Sequence, residues 1–168
     1  MKFIPVTPAA SSREKPRAWR ARETAPHRWS HPGAWNDSID QVNVARLKAM
    51  VRENGWPTIS LVGSEASRSA WLLVQHAYAE PDFTKQCLDL MRAAEGDMAP
   101  MDIAFLEDRL LTMEDKPQIY GTQFHKEGDD WVPLPIREPD RVDELRAGVG
   151  LETLAENAER IRSLHSRS

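Results

Sequence analysis

The chain has 168 residues, of which 40% are hydrophobic and 29% are charged, so we expect one globular domain with a single core. Its one cysteine, Cys87, excludes an intramolecular disulfide, and no apolar run reaches the roughly 20 residues of a membrane-spanning helix. The sequence turns polar directly after Val6, which argues against a signal peptide, and we expect a cytoplasmic protein with no membrane contact.

The net charge of −4 is distributed unevenly along the chain. Residues 1–35 contain seven Lys or Arg and two acidic residues, whereas the remainder contains 15 basic and 24 acidic residues. Because the acidic part repels phosphate backbones, we do not expect the domain to bind nucleic acid. The basic segment is suited instead to an acidic protein surface.

Residues 1–36 are predicted to form an arm outside the globular domain. Five prolines break any long helix in this segment, and Trp19, Trp29 and Trp35 alternate with arginines. Two interpretations are open: stacking on nucleic acid or membrane, or an extension whose tryptophans hold it to the domain surface. The lack of helical periodicity and the acidic body favour the second interpretation.

Residues 37–165 are predicted to form a single, mainly α-helical domain, with about six helices and one β-hairpin near residues 117–136. Capping residues, first-position prolines and glycine breaks place the starts of the helices near Asp37, Ser64, Pro81, Pro100, Pro139 and Leu151. The helix after Pro100 is apolar almost all round, which indicates a central, buried element.

The segment from Lys116 to Phe124 combines two amides, a phenol and a hydroxyl around one glycine. Alternation places Gln118, Tyr120 and Thr122 on one side of an extended chain, and burying these groups unpaired would cost free energy. We therefore interpret it as a short strand that lines a polar pocket and turns back at residues 131–136. The alternative is a turn whose hydrogen bonds satisfy only its own backbone.

Several short motifs follow one another along the chain: Gly55-Trp56-Pro57, Val62-Gly63, Gln75-His76-Ala77, Asp108-Arg109, Pro117-Gln118-Ile119-Tyr120-Gly121-Thr122-Gln123, Pro135-Ile136 and Gly150-Leu151. In this order they resemble an uncharacterised bacterial family, mostly actinobacterial, of domains of unknown function. The resemblance covers roughly residues 40–160 and leaves the basic arm outside. One position departs from the family pattern, because Tyr78 stands where members carry an acid.

The resemblance brings no settled activity, but it implies which residues belong to one site: Gln75, His76, Asp108, Arg109, Gln118, Tyr120 and Gln123. His76 is the main catalytic candidate, since an imidazole titrates near neutral pH and serves as acid or base. Asp108 is expected to hold it in the right tautomer, as the acid does in a hydrolytic triad. A core histidine satisfied by a backbone carbonyl or by Asp108 is the alternative.

Substrate binding is assigned to Gln75, Arg109, Gln118, Tyr120 and Gln123. An arginine fork holds a carboxylate or phosphate, and amides both donate and accept. Arg109 has a structural alternative, an ion pair with Asp102, Glu107 or Asp143. Adjacent helical residues point about 100° apart, so Asp108 and Arg109 cannot both face one pocket fully.

No metal and no cofactor are expected. Only His27 and His31, in the proline-rich arm, have the spacing of a zinc-binding helix, and nucleotide-binding glycine motifs are absent. The predicted function is a small cofactor-independent enzyme that uses His76 as general acid or base on a small polar molecule or peptide, by hydrolysis, group transfer or cyclisation. The alternatives are a ligand- or peptide-binding module with the same pocket and no chemistry, and an interaction protein whose working part is the arm.

Overall fold

The computed structural model describes residues 37–77 and 80–165, all of which belong to one compact unit. The basic arm at residues 1–36 and the position of Tyr78 lie outside the described residues. Within the described ranges, none of the helices is long and apolar enough to cross a membrane.

The described part is mainly α-helical with one two-stranded antiparallel sheet, as the sequence predicted. The helices are α1 (Asp37–Asn54), α2 (Ile59–Val62), α3 (Ser64–Gln75), α4 (Pro81–Ala93), α5 (Pro100–Met113), α6 (Val142–Gly148) and α7 (Leu154–His165), with 3₁₀ turns at Glu95–Asp97 and Pro139–Arg141. Pro81 and Pro100 lie in the first turns of α4 and α5, where a missing N–H costs nothing.

The short helix α2 was expected only as an apolar run after a turn. It forms because Asp97, which lies 37 residues further along the chain, accepts hydrogen bonds from the backbone N–H of Ser60 (2.8 Å) and from its hydroxyl. Hydrogen bonds from the side chains of Ser60 and Thr58 hold the pKa of the Asp97 carboxyl below its usual value.

The hydrophobic core lies between α1, α3, α4 and α5. Its fully buried members include Leu47 of α1, Val74 of α3, Cys87 and Met91 of α4, and Leu106 of α5. The prediction that Cys87 is a buried thiol is therefore confirmed, and α5 occupies the predicted buried position.

Helices α3 and α5 run parallel and contact each other at matching turns. Arg68 pairs with Asp102 at 3.0 Å, and the indole N–H of Trp71 donates to the Asp102 carbonyl at 2.8 Å. One turn further, the ring of Trp71 meets Phe105 edge-on with centroids 6.0 Å apart. These contacts fix the register of the two helices and thereby the position of the residues that follow Trp71.

The predicted hairpin is present but shorter than expected. Strand β1 (Phe124–Glu127) pairs with β2 (Asp130–Pro133), and the two-residue turn between them places Gly128 at φ +61°. The prediction of a strand from Lys116 onward is wrong, because residues 116–123 form a loop with a single bridge between Gln118 and Ile136. Helix α7 packs against β2, where the ring centroids of His165 and Trp131 are 4.2 Å apart.

Candidate functional site

Three predicted site residues lie where α3 ends against α5. The Nε of Arg109 donates to the Oε1 of Gln75 at 2.5 Å, one turn beyond the contacts of Trp71. His76 follows directly as the C-terminal cap of α3. Gln75 is 4% exposed, whereas His76 and Arg109 are half-buried. We call these three residues the α3–α5 polar cluster.

The amide nitrogen of Gln75 is buried and has no hydrogen-bond partner among the described residues. The orientation of the amide follows from Arg109, because a guanidinium only donates and so must face the amide oxygen. A buried N–H without an acceptor costs about 1–3 kcal/mol. The described part has one other such atom, the indole nitrogen of Trp56, which belongs to the apolar core. Gln75, in contrast, lies beside a charged group.

Asp108 faces a different neighbour from Arg109. Its carboxylate accepts hydrogen bonds from the backbone N–H groups of Ile119 (2.7 Å), Tyr120 (3.1 Å) and Thr122 (3.0 Å), and from the Thr122 hydroxyl (3.0 Å). Over residues 37–77 and 80–165, every hydrogen bond to this carboxylate comes from residues 119–122 and none from His76. The expected pairing of Asp108 with His76 is therefore corrected: Asp108 orders the loop.

Burial sets the electrostatics of Asp108. It raises the pKa of the carboxyl, and the hydrogen bonds from Thr122, Ile119 and Tyr120 offset part of that rise. All of its partners donate, which is the arrangement that suits an ionised carboxylate. The angle of about 100° between neighbouring helical residues explains why Asp108 reaches the loop while Arg109 reaches α3.

Gln118 is fully buried, and its whole amide is engaged inside the loop. Its Nε2 donates to the carbonyls of Gln123 (3.0 Å) and Leu134 (2.8 Å), and its Oε1 accepts from the N–H of Gln123 (2.8 Å). The structure thus corrects its expected role in substrate binding, because the side chain is fully buried and both amide N–H donors are used by the carbonyls of Gln123 and Leu134. Gln123 is half-buried, and its own amide donates to the Thr122 hydroxyl at 2.9 Å.

Arg146 of α6 was not among the predicted residues, yet it is only 1% exposed. Its Nη1 donates to the carbonyls of Tyr120 (2.7 Å) and Gly121 (3.4 Å), and its Nε donates to the carbonyl of Glu152 (2.5 Å). Burial lowers the pKa of the guanidinium, and nearby carboxylates, Asp108 among them, oppose that shift. The sequence signal was its place four residues after the buried Val142, on the same face of α6.

Tyr120, in the loop, is half-buried and lies near Glu107, on a different side of α5 from Arg109. Burial raises the pKa of its hydroxyl first, and the negative charges of Glu107 and Asp108 raise it further. Glu107 pairs with Arg92 of α4 at 2.6 Å. Glu107 and Arg109 are about 200° apart around α5, so the expected single site is divided. The α3–α5 polar cluster lies on one side, and the loop with Tyr120 and Gln123 meets another.

A cavity of about 320 Å³ opens between the hairpin and α7, and none of the seven predicted residues lines it. Its walls consist of Lys126, Asp129, Asp130, Trp131, Arg162 and His165. Arg162 and Asp130 pair across it at 2.7 Å. In the described ranges, no group of three or more His, Cys, Asp or Glu side chains has an arrangement that could hold a metal ion.

Fold and site together define a small, mainly α-helical domain in which a buried amide is bonded to a half-buried guanidinium and a loop is ordered by two buried charges. The chain belongs to a family of unknown function, DUF6624, whose model matches residues 23–166. The expected membership of an uncharacterised family is thus confirmed, and the match begins at residue 23, inside the predicted arm. No curated protein matches the chain, and neither does any solved structure.

Proposed function

We propose that the protein is a small cofactor-independent enzyme that binds a small polar molecule at the α3–α5 polar cluster. His76 acts as the general acid or base, and the reaction is a hydrolysis, a group transfer or a cyclisation. The observation that carries the proposal is the hydrogen bond between Arg109 and Gln75. It joins an amide and a guanidinium where α3 ends, and His76, the C-terminal cap of α3, is the next residue along the chain.

The three side chains supply complementary functions. A guanidinium and an amide bind and orient a polar molecule, whereas an imidazole exchanges protons near neutral pH. His76 and Arg109 are half-buried, so both retain access to solvent, while the buried Gln75 contributes the donor of its amide nitrogen. Asp108 takes no part in the chemistry, since its carboxylate orders the loop that carries Tyr120 and Gln123.

A binding module without chemistry is the second candidate. It is favoured by one observation: the carboxylate expected to orient His76 is bound instead to the backbone of residues 119–122. A triad-like arrangement therefore lacks its predicted acid. In this case the same cluster would bind its ligand and release it unchanged.

A thermal-shift screen of small polar metabolites and short peptides, followed by mass spectrometry of each hit, separates the two candidates. For an enzyme, hits are converted, and His76→Gln lowers turnover by about 10²- to 10⁴-fold while binding is kept. The matched control is His125→Gln, which changes a half-buried histidine of β1. Turnover that survives in His76→Gln contradicts the catalytic role, and hits recovered unchanged from the native protein establish the binding module.

Three further expectations stay predictions: the cytoplasmic location, the mainly actinobacterial distribution, and the contact of the basic arm with an acidic protein surface. Deletion of residues 1–22, which precede the family match, tests the last of these. The truncated chain should keep its thermal midpoint and lose the partner in a pull-down assay.

A further inference from the structure

The oxygen of the buried Gln75 amide has a hydrogen-bond partner, and its nitrogen has none. Arg109 donates to its oxygen, and its nitrogen, although closed to solvent, meets no acceptor in the described part of the chain. Buried side-chain nitrogens are nearly always paired in folded proteins, so an orphan of this kind calls for an explanation. The unpaired nitrogen belongs to the same amide whose oxygen accepts a hydrogen bond from Arg109, and a guanidinium carries a permanent positive charge.

We propose that the ligand of the α3–α5 polar cluster carries a carboxylate, and that the Gln75 amide N–H donates to one of its oxygens beside the Arg109 guanidinium. This inference rests on the proposed function and names the chemical group that the same site recognises. A ligand amine or hydroxyl proton would meet only donors at this place, because both the amide nitrogen and the guanidinium donate. An oxygen acceptor satisfies the orphan, and a negative charge is favoured next to the guanidinium.

The burial of the amide nitrogen also limits the shape of the group. A planar carboxylate needs few donors and presents one oxygen to the amide while the other stays near Arg109. A phosphate dianion carries more charge and more acceptor oxygens than a carboxylate, so placing it against an amide nitrogen that is closed to solvent costs more desolvation free energy. We therefore infer an organic acid rather than a phosphate ester as the ligand class.

The test compares matched acids and amides with the full-length chain. Acetate, succinate, benzoate and N-acetylglycine are each titrated beside the corresponding amide and beside inorganic phosphate, and the thermal midpoint is followed. A carboxylate at about 100 times its Kd should raise the midpoint by about 5–10 °C in a protein of this size. The inference is overturned if the amides or phosphate raise the midpoint as much as the acids, or if no acid raises it.

Substitution of Gln75 by Glu gives a second, independent readout. The new carboxylate can accept from Arg109 and removes the orphan N–H, so the midpoint without ligand should be kept or raised. Carboxylate binding should weaken by about 10- to 100-fold, because a donor is lost and a like charge is added. Gln86→Glu, on the exposed face of α4, is the control for the change in net charge.

Gln75→Met covers the possibility that the new charge itself disturbs the fold, since methionine matches glutamine in size and donates nothing. It should lose carboxylate binding to a similar extent. Binding that is unchanged in either Gln75 variant overturns the inference. Failure of the inference is distinguishable from failure of the proposed function: His76→Gln reports on turnover, whereas the acid–amide comparison reports on recognition alone.

Discussion

Asp108 and Arg146 bind opposite sides of the same loop. The carboxylate accepts from the N–H groups of residues 119, 120 and 122, while the guanidinium donates to the carbonyls of Tyr120 and Gly121. Both charged groups are buried, and each reduces the cost of burying the other, because their charges are opposite. Since Asp108 belongs to α5 and Arg146 to α6, the loop joins the helical core to the C-terminal part.

Replacing Asp108 by Asn should lower the free energy of unfolding by about 3 kcal/mol. The substitution keeps the size of the side chain but turns one acceptor into a donor that faces backbone N–H groups. Urea denaturation measures the change. Asp89→Asn, on the exposed surface of α4, should stay within about 0.5 kcal/mol of the native protein. An Asp108 variant as stable as this control would show that the loop does not depend on the carboxylate.

Replacing Arg146 by Met should lower the free energy of unfolding by about 3–5 kcal/mol, because three carbonyls lose their donor and the buried Asp108 carboxylate loses a nearby positive charge. Arg146→Lys should rescue little of this loss, since an ammonium cannot reproduce a planar fork. Arg141→Met, at an exposed neighbouring position, is the control.

The two charged groups should also be energetically coupled. A double-mutant cycle of Asp108→Asn and Arg146→Met is expected to give an interaction energy of about 1–3 kcal/mol, because both act on one loop. If the two losses simply add, each residue stabilises the protein separately, and the shared-loop explanation is refuted.

Glycine at position 121 should be far harder to replace than glycine at position 128. Gly121 has φ +66°, and an added Cβ would lie 2.9 Å from the Cδ1 atoms of both Ile136 and Leu154. Gly128 has φ +61° but open space around it. Gly128→Ala should therefore cost about 1 kcal/mol for the backbone alone, and Gly121→Ala about 2–4 kcal/mol. Equal losses in the melting curves of the two variants would mean that the close contacts relax freely.

The Cys87 thiol should be inert in the folded protein. Burial raises its pKa from 9.0 to about 12, so very little thiolate exists near neutral pH. Ellman's reagent at mildly alkaline pH should react only after urea is added. The raised folded pKa also means that the thiol's contribution to stability is complete below 9.0 and falls as pH rises towards 12. Cys87→Ala should flatten that part of the stability profile, and rapid labelling of the native protein would contradict the burial.

The helix boundaries that the sequence predicted correctly depend on local signals. Pro81 and Pro100 mark the first turns of α4 and α5 because their rings suit only that position. Helix α2 escaped prediction because the carboxylate that pairs with its first turn, Asp97, comes from a distant part of the chain. Propensity within four residues carries no information about such a partner.

The expected strand before Phe124 failed for a related reason. Alternation of polar residues predicts one face of a strand, but the side-chain amide of Gln118 makes the hydrogen bonds that the backbone of a neighbouring strand would otherwise make. The pattern thus indicates that the polar groups of this segment are hydrogen-bonded, but it does not indicate which groups are their partners.

The sequence also predicts only some of the residues that meet at the candidate site. Gln75 and Arg109 do meet, while Asp108, adjacent to Arg109, faces another side of the same helix. A motif of two adjacent residues shows that both matter to the fold or the site, but 100° of rotation separates their surroundings. Arg146 belongs to none of the short motifs, and its one sequence signal is its place four residues after Val142 on α6.

The glycine, threonine and glutamine of the Tyr-Gly-Thr-Gln segment stabilise the conformation of the loop through close packing and hydrogen bonds. A database query seeded on this tetrapeptide will therefore gather proteins that share a scaffold. Under the proposed function, the alignment positions that distinguish groups of these proteins by ligand would be those of residues 75, 76 and 109.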